Sequence, residues 1–265
     1  MSLLEEAKLL LRRYRISPKK SFGQHFMIDP SIFQRLADYA SLNRDDVVLD
    51  IGAGLGFLTS FLADKCRNVV AVEPDDGIMQ VLQERLKGVA NARLIRGSVL
   101  NTAIPSFSKV VSFPPYGISS HLLLWLFRRD FECAVLIFQK EFVGRMVTSV
   151  GSEDYGWLTV VTYHSVDVEV LEDVPRWMFY PQPEVDSVVV RLRPRKPHPF
   201  TLNNEVSFTQ FVQALFTRRN RKIRNAILSF TKNPEEMTKA LLFLDKRVRE
   251  LAPEDFGVLA NAFTK

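Results

Sequence analysis

Gly52, Gly54 and Gly56 alternate with Ala53 and Leu55 directly after the apolar run Val48-Leu49-Asp50-Ile51. Glycine at every second position lets the backbone enter positive φ and lets a ligand approach the main chain with no Cβ atom in the way. The spacing G-x-G-x-G differs from the dinucleotide fingerprint G-x-G-x-x-G, so a pyrophosphate is not the natural guest. A turn that needs glycine only for its own backbone is the plainer alternative. The next apolar run ends in Val72-Glu73-Pro74, on the order of 20 residues past the turn, where a carboxylate is placed to accept both hydroxyls of a ribose. Elsewhere Glu73 would be an ordinary surface acid; its offset from the turn favours the nucleoside reading.

Charge supplies the second constraint. The chain carries +5 overall, yet the stretch from 191 to 224 holds Arg191, Arg193, Arg195, Lys196, Arg218, Arg219, Arg221, Lys222 and Arg224 against the single acid Glu205. That is +8 locally and −3 for the remainder. A solvated basic face is the bland reading, but a segment more basic than the whole protein points first to nucleic-acid phosphates. The two cysteines, Cys66 and Cys133, have neither CxxC nor Cys/His spacing, which argues against a zinc site and a disulfide scaffold and for a reducing, cytoplasmic setting. No apolar run reaches a membrane-spanning length and the first residues do not form a signal peptide, so neither a membrane nor a metal is expected. Nothing suggests a dimer seam, so a monomer is expected.

Elements must hold these residues in place. Short β-branched runs at 47–51, 68–72, 93–96, 109–112 and 133–138 alternate with amphipathic stretches such as 77–86 and 119–127. This alternation predicts βαβ units and a parallel sheet. Two longer period-2 runs, 158–171 and 185–192, predict an antiparallel hairpin added to that sheet. Pro194, Pro197 and Pro199 mark a linker, after which helical patterns follow at 206–217, 220–230, 234–242 and 253–263. The expected organisation is an α/β domain over 1–195 and a small, basic, all-α domain over 196–265.

Longer motifs then identify a family by resemblance. The glycine turn resembles the nucleoside-binding turn of class I S-adenosylmethionine methyltransferases. Ser112-Phe113-Pro114-Pro115-Tyr116 resembles the amine-methyltransferase tetrapeptide, an Asn, Asp or Ser followed by Pro-Pro-Tyr or Leu-Pro-Tyr. Phe113 stands where that motif has its polar residue. Gly23-Gln24-His25-Phe26-Met27, Phe179-Tyr180-Pro181-Gln182-Pro183-Glu184-Val185-Asp186-Ser187 and Phe216-Thr217-Arg218-Arg219-Asn220-Arg221-Lys222 are similar to three further segments of the small-subunit ribosomal RNA adenine N6,N6-dimethyltransferase family. The likeness covers nearly the whole length.

The resemblance implies a Rossmann-like, mostly parallel methyltransferase sheet with an antiparallel hairpin. It implies methyl transfer from S-adenosylmethionine to the exocyclic amine of adenines near the 3′ end of small-subunit rRNA, on the RNA or an immature subunit, during ribosome biogenesis. It places Gln24, His25, Met27, Gly52, Gly54, Gly56, Glu73 and Ser98 around the cofactor. Phe113, Pro114 and Tyr116 fall at the reacting amine, and Tyr116 and Phe179 are the aromatic faces expected to clamp an unstacked adenine. The basic residues named above would face RNA. Two positions depart from the family pattern. Ser98 stands where relatives carry an Asp that accepts from the cofactor's adenine amine, which predicts cofactor binding weaker by about 1–3 kcal/mol. Phe113 removes a side-chain acceptor for the target amine, which predicts a rate lower by on the order of a hundredfold. The alternatives are a catalytically impaired relative acting as a ribosome-assembly RNA-binding factor and, less well supported, a methyltransferase acting on another amine such as protein glutamine.

Overall fold

The computed structural model describes residues 1–19, 23–230 and 238–263. Two compact units share the chain. The first comprises residues 1–140 and 168–194, and the second residues 141–167 and 195–265.

In the first unit, a capped helix α1 (Leu3–Arg13) opens the chain, its Ser2 and Glu5 closing a reciprocal capping box. Strand β1 (Phe26–Met27) and helix α2 (Ser31–Tyr39) follow. Then come β2 (Val47–Ile51), α3 (Phe57–Ala63), β3 (Asn68–Glu73), α4 (Asp76–Arg85), β4 (Ala92–Arg96), β5 (Lys109–Ser112), α5 (Ser119–Leu126) and β6 (Cys133–Gln139). The chain then passes through helix α6 (Lys140–Val147) and helix α7 (Trp157–Ser165), which belong to the second unit but for Lys140, and returns along β7 (Val166–Val174) to β8 (Phe179–Tyr180) and β9 (Ser187–Pro194).

One seven-stranded sheet has the order β4-β3-β2-β5-β6-β9-β7. Strands β4, β3, β2, β5 and β6 run parallel, and β9 pairs antiparallel with β6. The central strands are buried on both faces, Val48, Leu49, Val69, Val110 and Val135 among them, which is why they read as continuous apolar runs. The strand order reverses between β2 and β5. Ligands of open α/β sheets bind beyond the carboxyl ends of the strands at such a switch point. Both motifs singled out by spacing sit there, Gly52–Gly56 after β2 and Phe113–Tyr116 after β5.

In the second unit, helices α8 (Glu205–Phe216), α9 (Ile223–Ala226) and α10 (Pro253–Phe263) accompany α7. Asn204 caps α8 through its side-chain oxygen. Tyr155, fully buried, donates to the Leu251 carbonyl at 2.8 Å. None of the helices among the described residues is long and apolar enough to cross a membrane.

Several expectations need correction. The run 158–171 is not one strand, because residues Trp157–Ser165 form helix α7 and only Val166–Val174 extends. Leu158, Thr159, Val160, Val161, Thr162 and His164 are all buried, so this helix lacks the polar face that would reveal a 3.6-residue period, and packing overrides its β-branched composition. Strands β7 and β9 are neighbours at the sheet edge but not a simple hairpin, since β8 and the loop before Ser187 lie between them. The single boundary at 195 is also revised: residues 141–167 belong with the C-terminal helices, so the units are discontinuous in sequence. The helix expected over 220–230 is shorter, Ile223–Ala226 followed by the 3-10 turn Ile227–Ser229. Of the helix expected over 234–242, residues 234–237 lie outside the described residues and Thr238–Phe243 is 3-10.

Candidate active site

All three glycines of the turn have positive φ, 72° at Gly52, 57° at Gly54 and 80° at Gly56. A Cβ on Gly52 would lie 2.9 Å from Pro115 Cδ, and one on Gly56 would lie 2.7 Å from Leu82 Cδ1. The spacing therefore has a packing reason beside the ligand reason: Gly52 lets the proline motif close over the end of β2. Gly56 is the left-handed N-cap of α3.

Glu73, at the end of β3, is 6% exposed. Its Oε2 accepts the Gly54 N–H at 3.0 Å and its Oε1 the Asp75 N–H at 2.9 Å. Burial pushes this carboxyl above its ordinary value, against the two backbone N–H bonds that favour the ion. Each oxygen keeps a lone pair, which suits a diol donating two O–H groups. Beside it lies a cleft of about 280 Å³ between Ile51-Gly52, Val72, Pro74, Gly97–Val99, Pro115 and Gly117-Ile118, near the lower end of small-ligand sites. Ser98 lines this cleft, with its Oγ accepting the Leu100 N–H at 3.3 Å.

Asp50, which spacing alone did not single out, lies in β2 just before the turn, 1% exposed, and accepts from the Thr59 hydroxyl at 2.6 Å. Burial raises it to about 7, outweighing the Thr59 and Ser112 hydroxyls that pull it down. The detectable signal was a lone acid inside an apolar strand.

On the other side of the turn, Phe113 closes a cavity of only about 30 Å³ lined also by His25–Met27, Gly52–Leu55, Phe57 and Leu58. Its half-buried ring stacks on Phe33 with centroids 6.2 Å apart at 26°. Ser112 is committed elsewhere, donating to the Ile51 carbonyl at 2.6 Å and accepting the Ile51 N–H at 2.9 Å. Pro114 is buried and its carbonyl makes no hydrogen bond among the described residues. The Tyr116 hydroxyl bonds to Ser187 Oγ at 2.7 Å. Burial raises its phenol above the ordinary value, opposed by that bond.

Distant segments converge on this point. Strand β1 pairs antiparallel with β8, Phe26 opposite Tyr180 and Met27 opposite Phe179. His25 Nδ1 lies 2.7 Å from the Pro181 carbonyl, and its ring lies 6.0 Å from that of Tyr116 at 27°. Gln24 Oε1 accepts the Lys19 N–H at 2.8 Å, tying the start of this segment to its own backbone.

The structure also changes several expected roles. Phe179 is 2% exposed and belongs to the core with Met27 and Met178, so it is a packed side chain rather than an open aromatic face. Its pairing with Met27 turns it inward. Arg191 pairs with Glu169 and donates to the Tyr39 carbonyl, and Arg193 lies 4.0 Å from the same Glu169. Arg195 pairs with Asp167 and donates to the Tyr163 carbonyl. Lys222 and Arg224 share Asp245, and Arg219 donates to the carbonyls of Glu153 and Ser152. A linear charge count misses such pairings because the acids come from other segments. Arg193, Lys196, Arg218, Arg221, Lys222 and Arg224 are exposed, and Arg191, Arg195 and Arg219 are half-buried.

A family model described as ribosomal RNA adenine dimethylase matches residues 16–265. A probable ribosomal RNA small subunit methyltransferase A from Methanosarcina acetivorans is 42% identical, covering 95% of this chain and 96% of that protein. A protein of the same description from Methanothermobacter thermautotrophicus is 37% identical, covering 98% and 96%. Among solved structures, a dimethyladenosine transferase from Plasmodium falciparum superposes with a TM-score of 0.76 at 28% identity, covering 89% of this chain and 96% of that one. The 23S rRNA methyltransferase ErmE does so with a TM-score of 0.64 at 29% identity, covering 90% and 99%.

Proposed function

This chain belongs to the ribosomal RNA adenine dimethylase family and is an rRNA methyltransferase of the small subunit, and we propose that it methylates the N6 amine of adenines near the rRNA 3′ end through the constellation around Gly52. The observation that carries the assignment of residues is the convergence at the β2/β5 switch point of a glycine turn, a buried carboxylate suited to a ribose and a carbonyl with no partner among the described residues beside an aromatic ring.

The residues present fit S-adenosylmethionine. Glu73 offers one free lone pair per oxygen to the ribose hydroxyls, and the largely apolar cleft by Val72, Val99 and Ile118 suits an adenine ring, with Ser98 at its edge. His25 and Met27 line the small cavity on the opposite side of the turn, where the methionine end would lie, and Gln24 precedes them in the chain. When bound, this cofactor supplies an activated methyl group on a sulfonium.

The protein's own part is positioning. The Pro114 carbonyl, which has no partner among the described residues, is the acceptor left for the target amine, and a substrate N–H would satisfy it. Tyr116, anchored by Ser187, presents its ring where an unstacked adenine would settle. No strong base is required, because the amine is held against an already activated methyl group and its proton is lost afterwards to water. Phe113 takes the place of a second acceptor and narrows the pocket, which slows transfer rather than redirecting it. Arg218 and Arg221, both exposed, are cations available to RNA phosphates.

Labelled S-adenosylmethionine incubated with immature small subunits lacking the modification tests this reading. Label should appear at adenine N6 near the 3′ end of the rRNA, and transfer should weaken steeply with salt. An absence of label in rRNA would overturn it.

A further inference from the structure

Trp177 is 57% exposed. It sits on the 3-10 turn Arg176–Met178, and the backbone around it is pinned from three directions. The Arg176 N–H donates to Asp186 Oδ1 at 2.9 Å. The Met178 N–H donates to the Pro175 carbonyl at 3.0 Å, and the Met178 carbonyl accepts the Ile28 N–H at 2.8 Å. Met178 and Phe179 are both buried behind it. An indole left outside by a rigid turn is unusual, since tryptophan is mostly covered in folded proteins.

The same bonds tie this indole to the reacting centre. Asp186, which holds Arg176, precedes Ser187, which holds the Tyr116 hydroxyl at 2.7 Å. Ile28 continues β1, whose preceding residue His25 lies 6.0 Å from the Tyr116 ring. Trp177 is thus joined to Tyr116 by two covalent neighbours and two hydrogen bonds, through Arg176, Asp186 and Ser187. Arg176 is exposed, makes no ion pair among the described residues, and spends one N–H on the Glu184 carbonyl at 3.3 Å. A flat aromatic face beside an unpaired guanidinium is what a single-stranded nucleotide requires, a stack for the base and a charge-assisted bond for the phosphate.

We infer that Trp177 and Arg176 form a stacking subsite for a nucleotide adjoining the adenine being methylated, holding the strand while its neighbour is unstacked. This rests on the RNA methyltransferase reading above. Stacking tolerates any base, so the subsite would add affinity and register without adding sequence preference.

The test titrates the full-length protein with a single-stranded oligoadenylate RNA carrying one 2-aminopurine, and compares wild type with Trp177→Ala and Trp177→Phe. Trp177→Ala should weaken binding by about 5- to 100-fold with the melting temperature and S-adenosylmethionine affinity unchanged. Trp177→Phe, which keeps an aromatic face, should retain most of the affinity. Equal binding by Trp177→Ala and wild type would overturn the inference, as would wild-type protein that fails to bind the oligonucleotide at low salt. A defect seen only with intact immature subunits would also overturn it, assigning the ring to a ribosomal protein contact. In each of these cases wild-type methyl transfer to rRNA would continue, whereas failure of the underlying reading would appear as absence of that transfer.

Discussion

Phe113→Asn should speed methyl transfer while weakening the fold, and the structure separates the two effects. The wild-type ring stacks on Phe33 at 6.2 Å and packs against the core of the first unit. Losing the ring pair forfeits about 0.5–1.5 kcal/mol. Because Phe113 is only partly buried, the total should stay below the roughly 3–5 kcal/mol of a fully buried phenylalanine cut to alanine. A loss of about 2 kcal/mol would lower the melting temperature by about 4–8 °C in a chain of this size. Against that, if the Pro114 carbonyl is the present acceptor, the new amide oxygen would supply a second one, and one preorganised hydrogen-bonding group is worth about 10²–10³ in rate. Single-turnover transfer to immature subunits at saturating cofactor should therefore rise on the order of a hundredfold. Phe113→Ala is the control, since it opens the same space without an acceptor. If alanine accelerates as much as asparagine, relief of the narrow cavity is the cause. An asparagine variant that folds, binds cofactor and transfers no faster than wild type would refute the placement of the amine acceptor at position 113.

Other outcomes can be checked more simply. Glu73→Gln should raise the calorimetric Kd for S-adenosylmethionine by about 10- to 150-fold, the worth of a hydrogen bond to a charged group; an unchanged Kd would remove Glu73 from the site. Ser98→Asp should tighten cofactor binding by about 1–3 kcal/mol while keeping an acceptor for the Leu100 N–H, and no gain would mean the cleft is not where the cofactor's adenine sits. His164, buried among His198, Phe200 and Phe208, is pushed down to about 4 by burial, with His198 and Arg195 adding to the effect. Its unfolded form takes up a proton at higher pH than the folded form, so stability falls as pH drops from about 6.5 towards 4, by on the order of 3 kcal/mol. Denaturant midpoints of His164→Phe at pH 7.5 and 5 should therefore differ less than those of wild type; equal differences would discard this account.

Much of the candidate site was legible because its residues are consecutive. The glycine turn, Glu73 at the strand end and the Pro-Pro-Tyr segment each lie within a few residues of a strand terminus, and strand order brings those termini together. Asp50 and Ser187 were harder to see as partners, since Thr59 and Tyr116 reach them only once the chain is folded. Helix α7 was misread for a related reason: a helix buried all round keeps no periodic trace of its surroundings.

By itself, the sequence determined the family, the parallel βαβ order and the chemistry of the individual side chains, because these depend on local spacing and residue type. Only the tertiary structure decided which of those side chains are free to act. It turned Phe179 into the core, paired Arg191 and Arg195 with acids on β7, stacked Phe113 on Phe33 and left Trp177 in solvent. Burial and ion pairing arise between residues far apart in the chain, and no pattern confined to neighbours can encode them.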